Sequence, residues 1–270
     1  MLGKLFKHEF KATGRHFIII YSVFFLITLF NKLFLEISVP SNRFFSYFQN
    51  IFMIFYVIMC AAIFIITSVL VVYRFYKNLM CDEGYLMFTL PVTIEEHIIV
   101  KMITSFVWMV LSTITFFISI LILVSGHGFE DTFSQIFDLI REVSTYFQSQ
   151  FTVFVLIYLC ILIVGTFYNI LQYYFALSIG QLVGKHRILA SIGAYFAINF
   201  VIQNIIGFLF IFTNALNLES YYLIDESEIT ENIFEYLNTF GLIALALNIA
   251  LAVFFFFATK IILTKKLNLD

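Results

Sequence analysis

Two short runs of this sequence combine residue types that could carry out chemistry. The run GQLVGKH at 180–186 is close to a phosphate-binding loop, in which glycine amides and a lysine hold phosphate groups. It is one spacer residue too short, and it ends in His186 where Ser or Thr would bind Mg²⁺. The run EEH at 95–97 offers acid–base or metal-binding groups, but no further ligand follows at a metal-site spacing. We therefore expect this chain to have no catalytic site, no metal site and no ATP- or cofactor-binding site.

Uncharged polar side chains inside two otherwise apolar runs are the other candidates for a site. Asn169 and Gln172 lie in one run, and Asn199 and Gln203 lie in the next. Polar groups are costly against lipid, so these side chains should face other helices or a cavity. The sequence leaves open whether they form interhelical hydrogen bonds or line a substrate path.

The elements that would position these residues are apolar helices. Apolar residues make up 62% of the 270 residues and charged residues 12%, whereas soluble domains have about 25% charged residues. A helix needs about 20 apolar residues to cross a bilayer, because each residue rises about 1.5 Å. The sequence predicts an all-α integral membrane protein with a single transmembrane domain over 1–270. Its six predicted transmembrane helices are 17–35, 51–73, 102–124, 151–180, 188–213 and 237–263.

Basic residues are concentrated on one side of the predicted spans. Most of the 15 Lys and Arg residues lie in the N-terminal segment, in the loops 74–101 and 181–187, or near the C-terminus. The exceptions are Lys32, Arg43 and Arg141. Because basic loops stay in the cytoplasm, the pattern predicts a multi-pass protein of the bacterial plasma membrane with both termini in the cytoplasm. We expect the lipid bilayer, and no nucleic acid, among its partners.

Residues 1–16 form an amphipathic segment ahead of the first span. Leu5, Phe6 and Phe10 share one helical face, and Lys7 and Lys11 lie around the rest. This pattern is typical of a helix that lies in the membrane interface with its apolar face towards lipid. We predict an N-terminal interfacial helix that ends where the chain turns into the first span. The alternative is a frayed basic tail.

The predicted extracytoplasmic segments 125–150 and 214–236 also contain amphipathic patterns. In the first segment, apolar residues recur at steps of three and four from Phe129 to Phe147. In the second, isoleucines lie among acidic residues. Both patterns predict helices at the outer interface, which either pack over the bundle or act as a substrate gate.

The cytoplasmic loop 74–101 contains the strongest signal for a partner. Asp82 can cap a short helix that ends before Pro91. Thr93 and Glu96 then form a capping-box pattern at the start of the next helix. An apolar cluster on the short helix must be buried against the membrane, the base of the bundle or a soluble partner. The cluster and its acidic rim are Asp82, Glu83, Gly84, Tyr85, Leu86, Met87, Phe88, Leu90, Pro91, Glu95 and Glu96.

This loop resembles the loop between the second and third spans of ABC-2-type permeases, the membrane subunits of ATP-binding-cassette exporters. The shared pattern is an acidic pair and a glycine, apolar residues, Leu-Pro, a Ser or Thr, and a lysine that opens the next span. In this sequence the pattern is carried by Asp82, Glu83, Gly84, Tyr85 to Thr89, Leu90, Pro91, Thr93 and Lys101. The first residues, MLGKLFKHEFKATGR, are similar to the amphipathic connecting helix of that family, and six spans fit its plan.

The resemblance implies a permease subunit in which the loop 74–101 is a coupling helix for separate cytoplasmic ABC ATPase subunits. Those partners would bind ATP and Mg²⁺, and a second permease, identical or related, would complete the transporter. ATP hydrolysis in the partners would drive export of a hydrophobic or amphipathic substrate, such as a peptide or antimicrobial. The alternative is a non-transporting membrane anchor or sensor that signals through a cytoplasmic partner.

Overall fold

Long α-helices account for the structure of this chain. The computed structural model describes residues 2–36, 43–81, 84, 92–125, 129–183, 186–221 and 226–265. Within these ranges lie six long helices, and each is long and apolar enough to cross a membrane. They are α1 (Leu2–Glu36), α2 (Arg43–Met80), α3 (Ile94–Val124), α4 (Phe129–Gln181), α5 (Arg187–Tyr221) and α6 (Glu226–Lys265). The predicted all-helical fold, with six helices able to span a membrane, is confirmed.

All six helices are longer than the apolar stretches that predicted them. The 35 residues of α1 correspond to about 52 Å, against a hydrocarbon core of about 30 Å. Hydropathy marks the part of a helix that lies in lipid, whereas the helix itself continues until a cap or a turn ends it. Predicted and observed ends agree at Val124, where the Ser125 N–H donates to Leu121 O over 3.0 Å.

Two amphipathic segments that the sequence separated from the spans are continuous with them. Helix α1 runs without a break through the predicted boundary at residue 16, and the 53 residues of α4 run through the predicted boundary at residue 150. Neither junction contains a proline, so no backbone N–H is missing from the helix there. The N-terminal segment is therefore an extension of the first spanning helix and not a separate helix that turns into it.

The helices belong to two compact units. The first unit consists of Met1–Asn78 and Leu86–Ser134, and it contains α1, nearly all of α2, and α3. The second unit consists of Leu79–Tyr85 and Gln135–Asp270, and it contains most of α4 together with α5 and α6. Each unit has its own helix contacts, which are described separately below.

In the first unit, α1, α2 and α3 run in alternating directions. At one end the last turns of α1 and α3 meet, and Lys32 Nζ donates to Ser125 Oγ over 2.6 Å. The first turns of α2 lie at the same end, where Gln49 Nε2 donates to Phe34 O over 2.7 Å. The other end therefore holds the start of α1, the end of α2 and the start of α3. Between the two ends lies a buried apolar core of Phe24, Tyr56, Ile63 and Leu123.

From Thr104 onwards, most buried residues of α3 are small and carry a hydroxyl group. Ser112 Oγ shares hydrogen bonds with Tyr21 Oη at 2.9 Å and with Thr67 Oγ1 at 2.8 Å. Ser119 Oγ is similarly bonded to Tyr56 Oη at 2.8 Å. Small side chains let helix backbones approach in a membrane, and their hydroxyl groups hydrogen-bond across the contact. The buried residues of this type on α3 are Thr104, Ser105, Ser112, Thr115 and Ser119.

In the second unit, α4 and α5 form a tight hairpin. The connection between them includes His186, whose φ is 62°. A Cβ built on Gly180 would lie 1.9 Å from Ser191 Oγ and 2.7 Å from Arg187 O. Only glycine at this position lets α5 begin so close to α4. A Cβ on Gly241 of α6 would similarly lie 2.8 Å from an isoleucine of α4, so glycines allow α4 to pack closely against both neighbours.

Candidate functional site

Four polar side chains from three helices meet at one end of the first unit. Glu9 belongs to α1, and Lys101 lies about two turns into α3. Arg74 and Asn78 belong to the last two turns of α2. We call these four side chains the Glu9 cluster, and we call the end of the unit where they meet the basic end.

The Glu9 carboxylate accepts hydrogen bonds from all three partners. Arg74 Nη2 lies 3.0 Å from Glu9 Oε2, and Asn78 Nδ2 lies 3.1 Å from Glu9 Oε1. Lys101 Nζ also donates to Oε1. The side chains of Glu9 and Lys101 are 7% and 5% exposed. One buried carboxylate thus links α1 to the end of α2 and to the start of α3.

Because Glu9 and Lys101 are buried, their pairing affects the stability of the first unit. Taking a carboxylate or an ammonium group out of water costs several kcal/mol, and close pairing with further hydrogen bonds is needed to offset this cost. Without the carboxylate, Lys101 and Arg74 would lose the counter-charge that the structure shows beside them. The cluster therefore fixes three helix ends relative to one another, and its ionised groups carry one positive charge more than negative charge.

The start of α3 is fixed by a capping box, as the sequence predicted. Thr93 Oγ1 accepts a hydrogen bond from the Glu96 N–H at 3.3 Å, and Glu96 Oε2 accepts one from the Thr93 N–H at 2.9 Å. These reciprocal bonds satisfy two backbone donors that the first turn of a helix leaves open. The helix consequently begins at Ile94, which brings Lys101 to the level of the Glu9 carboxylate.

An aromatic stack next to the cluster joins α1 to α3. The centroid of the Trp108 ring lies 4.3 Å from that of Phe17 and 4.9 Å from that of Phe10. The Trp108 Nε1–H donates to Thr13 Oγ1 over 2.8 Å. A Cβ on Gly14 would lie 3.6 Å from the indole, at ordinary van der Waals distance, so the ring packs closely over the backbone of α1. Polar and aromatic contacts thus hold α1 against α3 over the two turns that follow the cluster.

Replacing Trp108 with phenylalanine is expected to lower the free energy of unfolding by about 1 kcal/mol. The phenylalanine ring preserves stacking on Phe17, but the hydrogen bond to Thr13 is lost. Thermal unfolding of the purified protein in detergent, followed by circular dichroism, measures the difference. Phe200→Leu is the control, because Phe200 is 72% exposed on α5. If the control lost as much stability as Trp108→Phe, the buried N–H donor would have no special role.

Most residues that the sequence assigned to ATPase coupling lie outside the described residues. These are Asp82, Glu83, Tyr85, Leu86, Met87, Phe88, Leu90 and Pro91. Gly84 is buried, its N–H donates to Cys81 O over 2.7 Å, and a Cβ there would lie 2.7 Å from Leu79 O. Gly84 therefore lies against the last turn of α2. Glu95 and Glu96 lie in the first turn of α3, and their contact with an ATPase stays a prediction.

The residues predicted for an interfacial helix divide between the bundle and the surface. Leu5, Phe6 and Phe10 are half-buried, whereas Lys7 and Lys11 are exposed. The Phe6 and Phe10 rings stack with centroids 5.9 Å apart, and Phe10 continues this stack onto the indole of α3. Part of the apolar face that was expected to lie against lipid is therefore packed against α3.

The polar residues predicted for a substrate path or for helix contacts lie in the second unit. Asn169 and Asn199 each donate a side-chain hydrogen bond to the carbonyl four residues earlier in their own helix, over 2.8 and 3.2 Å. Gln172 is buried in α4, whereas Gln203 is exposed on α5. The two asparagines thus bond within their own helices, and a substrate path along these four residues stays a prediction.

Glu9 is the candidate residue that the sequence analysis missed. It is the first acidic residue of the chain, and no other acidic residue precedes Glu36. It lies one turn before Thr13 on a face that continues to Phe17. A single acid on the apolar side of a basic helix is the signal that could have indicated a buried ion pair, because such an acid needs a cationic partner.

These observations define the class of the protein. Six long apolar helices make the chain a multi-pass helical membrane protein. No protein-family model, curated protein or solved structure matches it. The Glu9 cluster and the loop that this cluster flanks are the features that bear on a more specific function.

Proposed function

We propose that this chain is the transmembrane permease subunit of an ABC-type exporter. Separate cytoplasmic ABC ATPase subunits bind ATP and Mg²⁺ and contact the loop between α2 and α3. A second permease, identical or related, completes the transporter. The substrate is hydrophobic or amphipathic, such as a peptide or antimicrobial. The location is a bacterial plasma membrane, and the distribution of Lys and Arg supports an orientation with both termini in the cytoplasm.

The observation that carries the proposal is the position of the Glu9 cluster on both sides of this loop. Arg74 and Asn78 precede the loop and Lys101 follows it, and all three bind one carboxylate of α1. A force on the loop would therefore reach α1, α2 and α3 together, through buried charged hydrogen bonds. In proteins that switch between conformations, helices move as rigid bodies, and discrete contacts between them pass the movement of one helix to the next.

The residue types in the loop support the proposal that it binds a soluble partner protein. Its apolar residues, which include Phe88 and Leu90, are flanked by acidic residues at 82–83 and 95–96. The sequence predicts a short amphipathic helix here, and such helices bind into apolar grooves of other proteins. The polar residues within the spans are almost all uncharged, and transport coupled to protons or ions usually depends on charged groups there. Both features are consistent with a separate ATPase that binds the loop and supplies the energy for transport.

Replacing Phe88 or Leu90 with aspartate is expected to weaken binding of the ATPase subunits at least tenfold. A buried apolar anchor typically contributes 2 kcal/mol or more, and a charge in its pocket adds a desolvation cost. The measurement is co-purification of the chain with ATP-binding subunits from the membrane of its own organism, followed by ATP turnover of the complex in nanodiscs.

Phe137→Asp is the matched control, because Phe137 is 59% exposed on α4 and lies outside the loop. The control should retain the ATPase subunits. Normal assembly and ATP turnover in Phe88→Asp and Leu90→Asp would show that the loop is not the docking element. Stable assembly without substrate flux across vesicles would favour the anchor or sensor over the exporter.

A further inference from the structure

An open pocket lies between α1 and α2 at the basic end of the first unit. Its volume is about 110 Å³, whereas a single water molecule needs roughly 15 Å³. The pocket therefore has room for a group of several atoms. Its walls come from one turn of α1 around His16 and from two turns of α2 between Leu70 and Lys77.

One side of the pocket is basic. His16, Arg74 and Lys77 contribute to its wall, and no acidic side chain among the described residues does so. Arg74 donates from Nη2 to Glu9, while its buried Nε has no hydrogen-bond partner in the described part of the chain. Arg74 and Lys101 share the single Glu9 carboxylate. An anion in the pocket would therefore provide Arg74 with a second counter-charge.

The other side of the pocket is apolar and continues towards the spanning part of α2. Phe17 and Leu70 contribute to the wall, and Tyr73 is 51% exposed beside them. Ile66 and Val69 expose their side chains at helical steps from Tyr73, so an apolar strip runs along α2 away from the basic side. A membrane lipid has the matching profile, with a charged headgroup above its acyl chains. A free phosphate ion would contact only the basic side.

We propose that this pocket binds the headgroup phosphate of an anionic membrane lipid. Arg74 and Lys77 provide the cationic donors, His16 offers a further ring nitrogen for hydrogen bonding, and the acyl chains lie along the apolar strip of α2. Basic pockets between spanning helices recognise anionic headgroups in this way, and charge-assisted hydrogen bonds to phosphate are among the strongest in proteins. The site is independent of any ATPase partner. A bound lipid would hold α1 against α2 next to the Glu9 cluster.

Native mass spectrometry of the full chain measures lipid binding directly. The chain is titrated with phosphatidylglycerol, which is anionic, or with phosphatidylcholine, which carries no net charge. We expect phosphatidylglycerol to bind at least fivefold more tightly, the ratio that one basic residue near an anionic headgroup typically gives. Combining His16→Gln with Lys77→Gln should lower this preference about fivefold, because Arg74 remains as one cation, whereas Lys77→Arg should preserve it. These variants leave Arg74, a member of the Glu9 cluster, unchanged.

The control combines His8→Gln with Lys11→Gln, which removes the same residue types from exposed positions of α1 outside the pocket. It should keep the preference for phosphatidylglycerol within twofold of wild type. Equal binding of both lipids by the wild type would overturn the proposal, and this comparison needs no variant to fold. Equal losses in the control and in the pocket variant would also overturn it. Displacement of phosphatidylglycerol by millimolar inorganic phosphate would identify a free anion as the ligand and overturn the lipid assignment.

Discussion

Replacing Glu9 with alanine is expected to lower the free energy of unfolding by about 3–5 kcal/mol, the typical cost of leaving a buried charge without its partner. Lys101 and Arg74 would lose their counter-charge, and Asn78 would lose its acceptor. Three helix ends would then no longer be joined by the carboxylate. Unfolding of the purified protein in detergent, by heat or by added dodecyl sulfate, measures the loss through circular dichroism.

Glu36→Ala is the matched control for this variant, because Glu36 forms an exposed ion pair on the same helix. Its carboxylate lies 3.7 Å from Lys32 Nζ, and its side chain is 47% exposed. Exposed pairs of this kind contribute about 0–1 kcal/mol. Combining Glu9→Ala with Lys101→Met removes one buried cation and should recover part of the loss. If Glu9→Ala cost no more than Glu36→Ala, the cluster would not hold the helix ends together.

Replacing Gly180 with alanine is expected to cost about 3 kcal/mol, near the upper end of the usual range for overpacking. The new Cβ would lie 1.9 Å from Ser191 Oγ and 2.7 Å from both Arg187 O and Ser191 N. A side chain can rotate away, but the two backbone atoms can move only if the start of α5 moves with them. Unfolding of the purified variant in detergent, followed by circular dichroism, measures this loss of stability.

Gly193→Ala is the control for the glycine variant, since a Cβ on Gly193 meets no atom within 4 Å. Alanine is favoured over glycine inside a helix by up to about 1 kcal/mol, so this control should be neutral or stabilising. Adding Ser191→Gly to Gly180→Ala should recover only part of the loss, because the contacts with backbone atoms remain. Equal stability of the two alanine variants would show that α4 and α5 do not approach closely at Gly180.

Most of the fold could be predicted because apolar stretches and helix caps are local properties of the sequence. Each stretch of about 20 apolar residues corresponds to one helix, and the Thr93–Glu96 capping box fixes the start of α3. The lengths of α1 and α4 were underestimated, because a helix continues into water when no proline or cap ends it. Hydropathy does not report on that part of the chain.

The candidate site could be predicted only in part. The capping box is contiguous along the chain and could be predicted from the sequence, whereas the docking role of the loop stays a prediction. The ion pair of Glu9 with Lys101 joins residues 92 positions apart, and no local pattern links them. The contacts of Trp108 could not be predicted either, because its partners Phe17 and Thr13 lie on another helix. Predicting tertiary contacts of this kind requires knowing how α1 packs against α3, which no local sequence pattern specifies.

The central claim is that this membrane protein works through a separate ATPase bound to the loop between α2 and α3. The most direct test is native mass spectrometry of complexes purified through this chain from the membrane of its own organism. We predict a complex that contains two permeases and ATP-binding subunits, and we predict that Phe88→Asp removes the ATP-binding subunits. Recovery of the wild-type chain alone, or only as an oligomer of itself, would contradict the claim.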